Sequence, residues 1–251
     1  MFEVRNETET AEIMLYDLIG EHRSFWTDEV SGISAKQFKE ALDEVSPKPV
    51  DLHIDSSGGD VFDAFAMCSA IQRYPGKVRA FIDGLAASAA SYIAVVCDEV
   101  IMNDYAYMMI HCASSWVAGN ARELEDTAAR LRNIDANLAA IYQKRSNMTL
   151  EEVLDKMADE TWFTGQEALD CGLATEVVET EERMAACIEP ECAKAYRHIP
   201  RDVALRVSDE GAKVEAHGKS HAAHTVTTEA VEKAACTILD GRIYRKDGAN
   251  G

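Results

Sequence analysis

Basic residues are scarce in this chain: 25 Lys and Arg stand against 44 Asp and Glu, for a formal net charge of −19 over 251 residues. A surface this acidic repels phosphate backbones and anionic lipid, so neither nucleic acid nor a membrane surface is expected as a partner. Long apolar runs are also missing. The longest, Gly84 to Cys97, is bracketed by Asp83 and Asp98 and falls short of the ~20 residues that cross a bilayer. Met1-Phe2-Glu3-Val4-Arg5 has neither a basic n-region nor an apolar core, so no secretory leader is expected. The cysteines (Cys68, Cys97, Cys112, Cys171, Cys187, Cys192 and Cys236) are odd in number and scattered, several of them in apolar runs. That argues against a disulfide framework and for a reducing, intracellular compartment. Cys187, Cys192, His198, His217, His221 and His224 have no zinc-ligand spacing, and no Gly-x-x-x-x-Gly-Lys phosphate loop occurs, so neither a metal nor another cofactor is expected.

What is present is a regular alternation of strand and helix signals. A hydrophobic content of 47% suffices for one large α/β domain, alone or with an appendage. Glu12 to Gly20 reads as an opening strand. Ser34 is placed to cap a helix over Ala35–Val45, with Phe38, Leu42 and Val45 on one face. Val50–Ile54 alternates as a strand, Ser56-Ser57-Gly58-Gly59 turns, and Asp60–Tyr74 reads as a helix closed by Pro75-Gly76. Lys77–Ile82 is the next strand; it leads through a turn at Gly84 to a helix after Ser88. Val100–Met102 and Met108–Ile110 are short strands. Ala121–Lys144 is a long amphipathic helix; Thr149 caps a further one through Met157, and Thr164 a short one over Gln166–Cys171. Strands alternating with helices imply a largely parallel sheet with right-handed crossovers. After about Val178 the periodicity weakens. Residues 1–178 are therefore expected to form the domain, and 179–251 a weakly structured C-terminal appendage with a helix over Thr228–Leu239.

Three successive strand ends carry residues with chemistry to offer: Gly58 and Gly59, then Ser88, then His111. In a parallel sheet the carboxyl ends of the strands share one edge, where ligands bind. Ser88 sits where a strand gives way to an apolar helix, beside the free N–H groups of a helix start. A nucleophile with adjacent oxyanion donors is what acyl transfer needs. The N–H groups of Gly59 and Ala89 are the candidate donors, His111 the candidate general base, and Asp159 or Glu160 the carboxylate to orient it. Ser91, about one turn deeper, is the alternative serine. Each feature has an ordinary structural explanation when taken alone; their order along the chain favours a site.

These same segments carry a family likeness. Ile54-Asp55-Ser56-Ser57-Gly58-Gly59, Gly84-Leu85-Ala86-Ala87-Ser88, Met109-Ile110-His111 and Glu167-Ala168-Leu169-Asp170-Cys171-Gly172-Leu173 together resemble the ClpP family of serine peptidases, over about Ile13 to Val178. Ser24-Phe25-Trp26, Gly58-Gly59-Asp60-Val61-Phe62, Asp83 to Ser91 and Glu160-Thr161-Trp162-Phe163-Thr164 are similar, more narrowly, to phage-encoded head maturation (prohead) proteases of that family. The resemblance implies an α/β, ClpP/crotonase-like spiral of ββα units with a projecting helical handle, formed by the helices after Asn120 and Thr149. It implies a serine endopeptidase with Ser88 as nucleophile, His111 as base, and Gly59 and Ala89 as oxyanion donors. Motif register puts the third triad member on Glu160, a glutamate where the family has aspartate. The family also has proline where Ser57 stands, a change that leaves the Gly59 N–H untouched.

The likeness further implies a homo-oligomeric ring acting on polypeptide in the cytoplasm of a bacterium or phage-infected host. Cys112-Ala113-Ser114-Ser115 would pair with the substrate backbone as an added strand. A separate ATP-driven unfoldase, or phage capsid and scaffold proteins, would be partners. The rival readings are an acyl-CoA enzyme of the crotonase branch and a catalytically silent phage assembly protein. A membrane Ser-Lys signal-peptide peptidase would need a catalytic lysine and an anchor, and the sequence offers neither.

Overall fold

The computed structural model describes residues 2–6, 9–23, 30–179, 187–188, 190–201, 203–205, 236–239 and 242–245. The chain opens with a hairpin of two strands, β1 (Phe2–Asn6) and β2 (Ala11–Leu15), paired antiparallel. The expected opening strand therefore ends at Leu15 rather than Gly20, and a strand precedes it. A short ribbon follows, β3 (His22–Arg23) with β4 (Val30–Ser31). Helix α1 (Ala35–Val45) starts where expected: the Ser34 hydroxyl accepts from the Gln37 N–H, and the Gln37 side chain returns the bond. Such a cap stabilises a helix by about 1 kcal/mol. The face carrying Phe38, Ala41, Leu42 and Val45 is buried.

The sheet follows the strand order β1-β2-β5-β6-β7-β10, with β5 (Val50–Ser56), β6 (Val78–Ala87), β7 (Glu99–Asn103) and β10 (Glu176–Val178). All neighbours from β2 to β10 are parallel. Helix α1 lies in the crossover from β2 to β5, α2 (Val61–Arg73) in that from β5 to β6, and α3 (Ala89–Val95) in that from β6 to β7; every residue of α3 is buried. Strand β6 is longer than its sequence pattern suggested and continues through Gly84 to Ala87. Its first half pairs with β7; its second half, Leu85–Ala87, pairs with β8 (Tyr107–Ile110), which in turn pairs antiparallel with β9 (Thr161–Thr164). This change of partner places the end of β8 beside the end of β6.

Helix α4 (Ala121–Arg145) has 25 residues and so runs about 37 Å. Its last third is anchored by Leu138, Ala139 and Tyr142, while most of its first half is exposed. It packs against α5 (Leu150–Ala158), and α6 (Gly165–Asp170) leads into β10.

Packing continues past Val178, and the first compact unit runs from Met1 to Val207. Strands β11 (Cys187–Ile188) and β12 (Ala204–Leu205) pair, and helix α7 (Pro190–Ala193) lies between them. Ile188, Val203, Tyr196 and Ile199 pack on Leu85, Ala87, Tyr107 and Met109, covering one face of β6 and β8. The second unit, Ser208–Gly251, contains an antiparallel pair, β13 (Cys236–Leu239) with β14 (Arg242–Arg245). The helix expected over Thr228–Leu239 is thus a strand over Cys236–Leu239; residues 228–235 and Ser24-Phe25-Trp26 lie outside the described residues.

Candidate active site

Ser88 occupies the junction of β6 and α3 at φ 52°, ψ −121°, a conformation that costs a side-chain-bearing residue free energy. Its surroundings hold it there. The Ser88 N–H donates to Met109 O (3.0 Å), and its carbonyl accepts from the N–H and hydroxyl of Ser91. The parallel register pairs Ala87 with Met109, so the next residues of the two strands emerge side by side. His111 follows β8 directly, and its Nε2 lies 2.7 Å from Ser88 Oγ.

The glycine turn after β5 closes on the same point. Buried Ser56 ties the turn down, donating to Asp17 O and accepting from the Gly58 N–H. A Cβ on Gly58 would stand 2.8 Å from Ser88 Cβ and 2.9 Å from Ala89 N, so only glycine permits this approach. Gly58 O and Asp60 N make the bonds of a bridge to Ile19 and leave the Gly59 N–H out of it. Ala89 is the first residue of α3, whose N–H has no acceptor within the helix. Ser88 and His111 open into a cleft of about 810 Å³ with apolar lining from Val61, Phe62, Leu131, Ile134 and Leu138.

Burial holds the His111 imidazole below the ordinary histidine value; Arg197 adds to this, while the carboxylates of Glu160 and Asp135 pull the other way. Glu160 is itself buried and, at φ 53°, backbone-strained. Its carboxylate accepts from Arg197 N (2.7 and 2.9 Å), His198 N (2.7 Å) and Trp162 Nε1 (3.4 Å). Among the described residues, no hydrogen bond joins it to His111. Asp159, the other candidate acid, is the exposed C-cap of α5. Ser91, the alternative nucleophile, is fully buried and shares a 2.7 Å hydrogen bond with Tyr142 Oη.

Several residues at the site escaped the sequence reading. Asp135 of α4 accepts the Ala113 N–H at 2.7 Å, and Met157 O accepts the Cys112 N–H. Two amides of the expected substrate-pairing edge are thereby occupied, and its free part begins at Ser114. Tyr196 packs edge-on against His111 (centroids 5.6 Å apart) and Trp162 (5.7 Å), and its hydroxyl donates to Ser57 O. Only an aromatic in an otherwise polar stretch hinted at Tyr196; nothing in the spacing of Asp135 marked it.

Comparison with known proteins places this arrangement in a class. The fold is ClpP-like: a mutant ClpP1 from Listeria monocytogenes matches it with a TM-score of 0.57 at 18% identity, over 68% of this chain and 92% of that one. At that identity the likeness speaks to fold alone. The family itself follows from sequence: the Clp protease family model matches residues 7–181, and the chain belongs to that family. It is 27% identical over 175 residues (66% of this chain, 85% of the relative) to the ATP-dependent Clp protease proteolytic subunit 1 of Protochlamydia amoebophila. It is 29% identical over 147 residues (58% and 73%) to proteolytic subunit 2 of Borreliella burgdorferi. Among the described residues, no helix is long and apolar enough to cross a membrane.

Proposed function

We propose that the chain is a serine endopeptidase. His111 Nε2 removes the Ser88 proton as Oγ attacks a peptide carbonyl; the Gly59 and Ala89 N–H groups hold the oxyanion; His111 then protonates the leaving amine, and water repeats the sequence to free the acyl group. Glu160 is the acid of this reading: its charge favours the imidazolium, and it would orient the imidazole once its oxygens turn from Arg197 and His198. The observation that carries this reading is the 2.7 Å contact between Ser88 Oγ and His111 Nε2, made by adjoining strand ends and facing an apolar cleft. A crotonase-type acyl-CoA enzyme has no use for that pairing.

The substrate class is extended polypeptide, bound along the free edge from Ser114. The exposed handle supports assembly into a ring in which the clefts are enclosed. The relatives are named ATP-dependent subunits; with no phosphate loop in this chain, ATP use would fall to a separate cytoplasmic unfoldase. The head-maturation motifs favour phage capsid or scaffold proteins as natural substrates. The test is hydrolysis of an unfolded polypeptide by the wild type and Ser88→Ala. A loss of about 10³-fold or more in the variant, with the fold retained, is expected; undiminished cleavage refutes the assignment.

A further inference from the structure

We propose that Tyr196-Arg197-His198 is an in-cis latch that holds the active centre at rest by engaging Glu160 and keeping it from His111. The inference rests on the reading of Ser88, His111 and Glu160 as the catalytic residues, and it assigns their regulation to a segment beyond the family-matching residues 7–181.

Contacts to the base, the acid and the glycine turn converge there. The N–H groups of Arg197 and His198 both donate to Oε1 of Glu160, and Arg197 N also reaches Oε2. The Arg197 guanidinium lies 3.8 Å from Oε2, adding a positive charge to a carboxylate that is otherwise shut off from water. The Tyr196 ring stands against the His111 imidazole, and its hydroxyl binds the carbonyl of Ser57, next to the glycines of the oxyanion loop. His198 Nδ1 donates to Asp159 O at 3.0 Å, so the latch is fastened on the far side of Glu160 as well.

One short segment thus touches base, acid and oxyanion loop at once. A carboxylate whose two oxygens accept from backbone amides and face a guanidinium is not turned to hydrogen-bond an imidazolium. The cation that must form when His111 takes the Ser88 proton then feels the Glu160 charge but receives no hydrogen bond from it, and Arg197 opposes it. The charged and titratable groups facing His111 are Asp135 from α4, Glu160 from the α5–β9 turn, and Arg197 and Tyr196 from the latch. Lifting the latch leaves Glu160 free to turn to the imidazole. The latch is joined to the core by side-chain packing and a few hydrogen bonds, so a partner or an assembly step that draws the C-terminal region away would switch the enzyme on.

Two variants of the full-length chain test this. Tyr196→Ala removes the ring, and Arg197→Pro removes the N–H that both carboxylate oxygens accept; thermal denaturation confirms that each is folded. In both, kcat for peptide hydrolysis should rise tenfold or more with a smaller change in KM. The NMR titration of His111 should move to higher pH. Adding Glu160→Gln to either variant should reverse both changes, with a larger fold-loss than the same substitution causes in the latched chain. A fall or no change in kcat, or an unmoved titration, overturns the latch. If Ser88→Ala cleaves as well as the wild type, the catalytic reading fails instead, and the titration alone decides the latch.

Discussion

Ser88 and Gly58 hold each other in place. The serine accepts φ 52° because its amide and carbonyl are pinned on opposite sides, and the glycine takes φ +92° against it. Gly58→Ala adds a strained backbone and a Cβ 2.7 Å from Ala87 O. It is expected to cost about 1–2 kcal/mol of stability, or about 2–4 °C in Tm per kcal/mol. It should also cut peptide hydrolysis at least tenfold by displacing Ser88; calorimetry and a kinetic assay read both. If His111 is the base proposed above, it sets the pH dependence, since it must be neutral to accept a proton. Burial lowers its pKa, so the acid limb of kcat/KM should lie below the ordinary value of about 6.5; a limb above 6.5 would contradict this environment. At this scale Ser88 and His111 were legible because each follows a strand directly, and strand ends of a parallel sheet converge. The partners of Glu160 were not legible, since Arg197 and His198 lie some 37 and 38 residues away in a stretch without periodicity.

At the scale of elements, β6 is what builds the site. By pairing first with β7 and then with β8 it brings His111 to Ser88, and its 10 residues leave only Ser88 between it and α3. The sequence stopped this strand at Ile82 because Gly84 reads as a turn; the pairing of Leu85–Ala87 with β8 overrides that local preference. Helices were read more closely than strands, since Ser34, Thr149 and Thr164 all form capping boxes that mark their first turns. Strand β1 and the β13–β14 hairpin were missed: short strands depend on their partners more than on their own pattern. Helix α3 is anchored to α4 through Ser91 and Tyr142. Ser91→Ala leaves the fully buried Tyr142 hydroxyl without that partner and should cost about 1–3 kcal/mol. Thermal denaturation should show the loss, while the Ser88-dependent reaction persists.

The whole molecule combines a strongly acidic chain with apolar side chains left bare on its handle. Leu124 is 43% exposed on α4, and Leu150 and Leu154 are 42% and 36% exposed on α5. Contacts between copies of the chain would cover them, as the ring reading requires. Sedimentation velocity should therefore find a closed oligomer for the wild type and a monomer for the double variant Leu150→Glu with Leu154→Glu; a monomeric wild type would contradict the ring. Composition carried the acidity, but nothing in it indicated that Ile188, Tyr196, Ile199 and Val203 pack on β6 and β8, because that packing joins distant parts of the chain.

The proposed hydrolysis requires Ser88 to be a nucleophile driven by His111. Labelling with a fluorophosphonate, followed by mass mapping of the adduct, tests this most directly. It predicts one adduct on Ser88 in the wild type, formed at least about 10²-fold more slowly in His111→Asn. No adduct, an adduct on Ser91, or a rate indifferent to His111 would contradict it.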